Sequence, residues 1–133
     1  MSELKEQFNM AILFITHDLG VIAEMANRVA VMYLGRVVES GMTVQVFDNP
    51  LHPYTRLLLK SIPKVGKKAR TRLDAIKGNV PTPIDLPDRC PFMERCPDAM
   101  PGTCDQAIPA LVESEAGHAS RCFLNHDQTE ARP

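Results

Sequence analysis

The feature that most constrains this chain is the segment "MAILFIT", from Met10 to Thr16. It is apolar without alternation, has the length of a strand, and ends at a polar pair, His17-Asp18. A strand apolar on both faces suits a parallel sheet covered on both sides. Such a strand needs neighbours, and the remaining sequence offers too few strands to supply them. The run therefore predicts the end of an α/β domain and not a whole one.

The elements that follow fit that reading. Asp18 is placed to cap a helix. Leu19, Ile22, Ala23 and Ala26 then fall on one face at i, i+3, i+4 and i+7. Arg28 to Leu34 reads as a second strand, with Val29, Val31 and Tyr33 alternating. Gly35-Arg36 reads as a two-residue type II′ turn, and Val37 to Ser40 as the returning strand. Thr43 is expected to cap a short helix reaching Asp48, which Asn49-Pro50 ends. His52-Pro53 opens another helix with proline at its first position. His52 is expected to be structural, its ring bonding backbone at the helix start.

The second half changes character. Residues 63–133 hold nine of the 11 prolines and all 4 cysteines. Between the halves, "PKVGKKARTR" carries five basic residues and no apolar periodicity, which predicts an exposed connector. The expected division is 1–62, the end of an α/β domain; 63–75, a basic connector; and 76–133, a small irregular Cys/Pro-rich lobe. A net charge of −1 gives no electrostatic footprint for nucleic acid. The longest apolar run is far too short to span a bilayer. The start, "MSELKEQFN", lacks signal-peptide character, which predicts a cytosolic setting.

Three stretches resemble a known family. "AILFITHDLGVIAEMANRVAVMYLGRVVESG", Ala11 to Gly41, is similar to the switch-histidine segment of ABC-transporter ATPases. "VFDNPLHPYTRLLLKSIP" resembles the continuation found in oligopeptide and dipeptide importer ATPases. "IKGNVPTPIDLPDRCPFMERCPDAMPGTC", Ile76 to Cys104, resembles that subfamily's C-terminal extension. The resemblance implies a fold: the C-terminal part of a P-loop ABC ATPase domain, followed by the Cys-rich extension. It also implies a role for His17, contact with the γ-phosphate of ATP. The chemistry is sensible without the family. Ligands of α/β sheets bind beyond the carboxyl ends of strands, and an imidazole there can stabilise developing phosphoryl charge.

The sequence lacks the other walls of such a site. No G-x-x-x-x-G-K-[ST] loop occurs, and Gly66-Lys67-Lys68 carries Lys where Ser or Thr belongs. A signature motif and an apolar strand ending in Asp-Glu are also missing from it. The chain is therefore read as the C-terminal portion of a longer ATPase. Phosphoryl transfer needs a phosphate-cradling loop, a lysine and Mg²⁺. This chain alone is accordingly expected to be no enzyme, whereas the full-length parent is expected to use ATP and Mg²⁺.

Cys90, Cys96, Cys104 and Cys122 are spaced C-x₅-C-x₇-C-x₁₇-C. Structural zinc favours tight C-x₂₋₄-C pairs, and a cytosolic setting disfavours disulfides. A 4Fe–4S cluster accepts freer spacing, and the resemblance implies one on these four cysteines. Arg89 and Arg95 could offset its negative charge. The alternative is four thiols packing a small lobe, one that is marginal without a staple. His118 and His126 are alternative ligands, but four cysteines suffice, and both histidines are expected on the surface.

The leading functional expectation is part of the ATP-binding subunit of an importer for peptides, with nickel as another cargo in the same branch. Its partners would be membrane permease subunits and a second ABC ATPase, on the cytoplasmic face of the membrane. The competing readings are a non-enzymatic iron–sulfur or regulatory module, and a nonfunctional truncation that self-associates through the orphan strand.

Overall fold

A computed structural model describes residues 7–62, 76 and 78–126. The connector expected at 63–75 lies outside the described residues. Helix α1 (Leu19–Met25) leads into a hairpin of β1 (Arg28–Tyr33) and β2 (Arg36–Met42). Helices α2 (Thr43–Asp48) and α3 (Pro53–Lys60) follow. The remainder is irregular, with a 3₁₀ turn at Met93–Arg95, strands β3 (Val112–Glu115) and β4 (His118–Ser120), and a last 3₁₀ turn at Phe123–Asn125. This is a small mixed α/β fold, as expected for the end of an ABC ATPase domain.

One antiparallel sheet has the order β1-β2-β4-β3. Strand β2 pairs with β4 through Glu39 opposite Ser120 and Ser40 opposite Ala119. The sheet therefore runs from the first half of the sequence into the Cys/Pro-rich half. Arg121 extends the join, donating from its backbone N–H to Val38 O at 2.7 Å and from Nε to Val37 O at 2.9 Å.

Met10 to Thr16 forms no strand, contrary to expectation. Leu13 is 86% and Ile15 92% exposed. The physical reason is the one that made the run informative: a parallel strand requires partners, and the described residues supply none. The hairpin turn also differs. Its central residues are Leu34 and Gly35, with φ of 46° and 76°. Positive φ at both positions makes the turn type I′, whose twist matches the flanking strands. Leucine takes the left-handed conformation there at a cost of about 1–2 kcal/mol.

Helix starts follow local chemistry. Asp18 caps α1 as expected. Thr43 does not cap α2: Met42 holds that position, with its N–H donating to Gln45 Oε1 at 3.1 Å. The Thr43 hydroxyl instead donates to Ala26 O at 2.6 Å, tying α2 to the end of α1.

The core joins the two halves. Tyr33, Val38, Cys90, Phe92 and Cys104 form one buried cluster. Tyr33 and Tyr54 stand 4.9 Å apart, and each has its ring 5.3 Å from that of Phe92. Such tilted and edge-to-face rings add about 0.5–1.5 kcal/mol per pair beyond the area they bury. Ile84, by contrast, is 71% exposed and contributes little to packing.

Candidate functional site

His17 lies on a bend immediately before α1, exposed to solvent. Asp18 is occupied by capping: its Oδ1 accepts from Gly20 N–H at 2.9 Å and Val21 N–H at 3.2 Å. Its own N–H donates to Thr16 Oγ1 at 3.0 Å. The bend therefore holds His17 at the rim while its neighbour secures the helix. A depression of about 340 Å³ is lined by His17, Asp18, Leu19, Gly20, Ser61 and Ile62. Ser61 and Ile62 close α3, the helix opened by His52-Pro53-Tyr54 (the HPY motif), so the far end of the HPY helix lines the same depression as His17.

At its other end, α3 begins with His52, whose Nδ1 accepts from Tyr54 N–H at 3.0 Å. Burial pushes this imidazole down to about 4 against an opposing pull from Glu39. His52 is thus a neutral N-cap acceptor, packed 5.8 Å from the Phe92 ring. It is the structural residue the sequence predicts.

Cys90, Cys104 and Cys122 are buried, Cys96 is half-buried, and all four are free thiols. Cys90 N–H donates to Cys104 O at 2.9 Å, and Met100 N–H to Cys104 Sγ at 3.4 Å. Burial raises the Cys90 thiol, with Cys104 adding to the effect. Burial also pushes Cys96 and Cys122 up to about 11, and the charges of the other thiols push the same way. The four are near enough to sense one another. Among the described residues, however, no group of three or more His, Cys, Asp or Glu side chains is arranged to hold a metal ion. As placed, the donor set has the right chemistry for a thiolate-bound group but not its geometry. The two arginines beside them are engaged elsewhere. Arg89 pairs with Glu94, and Arg95 donates to Tyr33 Oη at 3.3 Å.

The sequence reading missed a polar hub. Glu39 is fully buried, and its carboxylate accepts from Leu51 N–H at 2.8 Å and His52 N–H at 2.9 Å. It also meets His118 Nε2 at 2.8 Å. His118 is fully buried too, contrary to its expected place on the surface. The reason is that strand β4 delivers its ring to Glu39, the one carboxylate fully buried among the described residues. His126, the other expected surface histidine, is half-buried with Nε2 3.1 Å from Ala110 O. Asn125 completes the hub, its Nδ2 donating to Ser120 Oγ at 3.0 Å and Leu51 O at 3.4 Å. The available signal was Glu39 itself, a charged residue between apolar neighbours and the HPY motif. Nothing in the spacing linked it to position 118.

Known proteins match both parts of this arrangement. The family described as "Oligopeptide/dipeptide transporter, C-terminal region" matches residues 38–104, from β2 through the HPY helix to the third cysteine. The oligopeptide transport ATP-binding protein AppD of Bacillus subtilis is 48% identical over 96% of this chain and 38% of its own length. A probable peptide ABC transporter ATP-binding protein of Sinorhizobium fredii is 43% identical over 94% of this chain and 37% of its own. AppF of Bacillus subtilis, also an oligopeptide transport ATP-binding protein, is 43% identical over 93% and 38%. The chain thus spans under two-fifths of the length of these relatives. With the HPY helix, its aromatic packing and the cysteine segment all inside the matched region, the chain belongs to the oligopeptide/dipeptide transporter C-terminal region family.

Proposed function

We propose that this chain supplies the switch-histidine segment and C-terminal extension of the ATP-binding subunit of an ABC importer for peptides. The observation that carries the reading is the position of His17: exposed on a capped bend, with the end of the HPY helix beside it. In the full-length protein the imidazole faces the γ-phosphate, and Asp18 holds the bend that presents it. ATP and Mg²⁺ are bound by parts of the parent outside this sequence. The parent docks on permease subunits at the cytoplasmic face of the membrane and works with a second ATPase. Among the described residues no helix is long and apolar enough to cross a membrane, which is compatible with such docking.

The test is peptide uptake in Bacillus subtilis cells whose AppD carries this chain in place of its own matching segment. Uptake should be retained, and lost with His17→Ala. Loss of uptake despite normal levels of the hybrid protein would contradict the reading.

Cys90, Cys96, Cys104 and Cys122 are the proposed ligands of a 4Fe–4S cluster in the same protein. Supporting this, three of the four thiols are buried in one small lobe, and Cys90 N–H donates to Cys104 O at 2.9 Å. A cluster bound by four thiolates would lock the lobe. Iron and sulfide analysis after anaerobic purification checks it, with absorbance near ~400 nm as the optical sign of a cysteine-ligated cluster. A protein that carries no iron or sulfide after anaerobic purification would contradict it.

A further inference from the structure

The gap between His118 and Glu115 carries an inference beyond the transporter reading. Both oxygens of Glu39 accept hydrogen bonds, from Leu51 N–H at 2.8 Å and His52 N–H at 2.9 Å. Its 2.8 Å contact with His118 Nε2 therefore places the imidazole proton on Nε2. Nδ1 is left with a lone pair. It is completely buried and has no hydrogen-bond partner.

What stands opposite it is Glu115 Oε2, 3.8 Å away. Two electron-pair donors thus face each other with nothing between them, an arrangement that calls for a cation. At 3.8 Å the pair lies beyond hydrogen-bond reach, so a proton on Nδ1 would be buried without a hydrogen-bond acceptor. Two ligand atoms on one tetrahedral zinc stand roughly 3.4 Å apart, from bond lengths of about 2.0–2.2 Å. A movement of a few tenths of an ångström would reach that separation. The rest of the setting fits. Glu39 on the far ring nitrogen is the outer-shell carboxylate that orients metal-binding imidazoles. Asn49 Nδ2 steadies the other Glu115 oxygen at 3.2 Å. The Glu115 side chain is 48% exposed, so water can complete the coordination shell.

We propose that His118 Nδ1 and the Glu115 carboxylate form a two-residue site for a borderline divalent cation of the zinc class. The site is separate from the four cysteines. Its occupant fastens the β3–β4 hairpin against β2, because the same imidazole is anchored on Glu39.

The experiment is a zinc chloride titration of the full chain, followed by long-range ¹H–¹⁵N NMR of the histidine rings at about pH 7. Zinc should move the His118 Nδ1 signal and raise the Tm. Glu115→Gln keeps an amide oxygen beside Asn49 and alters a half-exposed position, so it should fold. It should weaken the His118 response at least about tenfold, the loss that removal of even an outer-shell partner causes. Cobalt substitution identifies the ligands, since binding at the cysteines gives thiolate charge-transfer absorption and this site gives none. Three results would each overturn the proposal: an unmoved His118 signal, an equal response in Glu115→Gln, or an Nδ1 already carrying a proton before zinc is added.

Discussion

His118 Nε2 lies 2.8 Å from Glu39 Oε1, and both side chains are completely buried. Seventy-nine positions apart in sequence, they join the β1–β2 hairpin to the cysteine segment. Glu39→Ala should strip three donors of their acceptor at once. Leaving a buried hydrogen-bond donor without its acceptor costs about 1–3 kcal/mol for each donor. In urea unfolding followed by circular dichroism, this variant should lose its folded baseline, while Glu24→Ala at an exposed position of α1 retains it.

Stability should fall in acid because of His52. Its imidazole is held down to about 4 by burial, against an ordinary 6.5. The unfolded chain therefore takes up this proton first as pH drops. The contribution is complete above about pH 6.5 and is lost progressively toward pH 4, amounting to about 3 kcal/mol. Urea midpoints measured across that range should show the loss. His52→Asn, which keeps a side-chain acceptor for Tyr54 N–H, should flatten it.

Gly41 marks where the hub is tightest. A Cβ at this position would sit 3.0 Å from the His118 ring and 3.1 Å from Val46 Cγ2. Gly41→Ala should destabilise by about 1–3 kcal/mol, the usual scale of overpacking. Gly102→Ala, where a Cβ meets nothing within 4 Å but φ is +84°, separates backbone strain from crowding. A His118 ring signal displaced in Gly41→Ala alone confirms crowding as the cause.

The cysteines should be slow to alkylate in the folded, metal-free chain. Cys96 and Cys122 are pushed up to about 11, so almost no thiolate exists near neutrality. Mass spectrometry after brief iodoacetamide treatment should find Cys90, Cys104 and Cys122 labelled only in urea. Rapid labelling of all four without urea would contradict the burial described here.

Local chemistry was legible in the sequence, and long-range pairing was not. The Asp18 cap, proline at the start of α3 and the His52 acceptor each depend on residues within a turn of one another, so spacing predicts them. Met10–Thr16 reads as a strand because composition records what a segment could bury. Pairing depends on neighbours, and the described residues provide none. His118 reads as a surface residue because its partner, Glu39, lies far back in the chain. The Cys/Pro-rich lobe looked too small to hold itself together. Its β4 strand joins the sheet, which staples it by hydrogen bonds that composition does not reveal. For the candidate site, the Asp18 cap was legible in the sequence, but the strand end expected to present His17 is not formed, and the approach of both residues to Ser61 and Ile62 is a product of the fold.

The most direct test of the central claim is single-turnover ATP hydrolysis by the AppD hybrid, compared with its His17→Ala variant and with this chain alone. Hydrolysis by the hybrid is expected, with a loss of about 10²-fold or more in the variant, as for removal of one transition-state donor, and no hydrolysis by the chain alone. Equal rates in hybrid and variant, or histidine-dependent turnover by the chain alone, would contradict it.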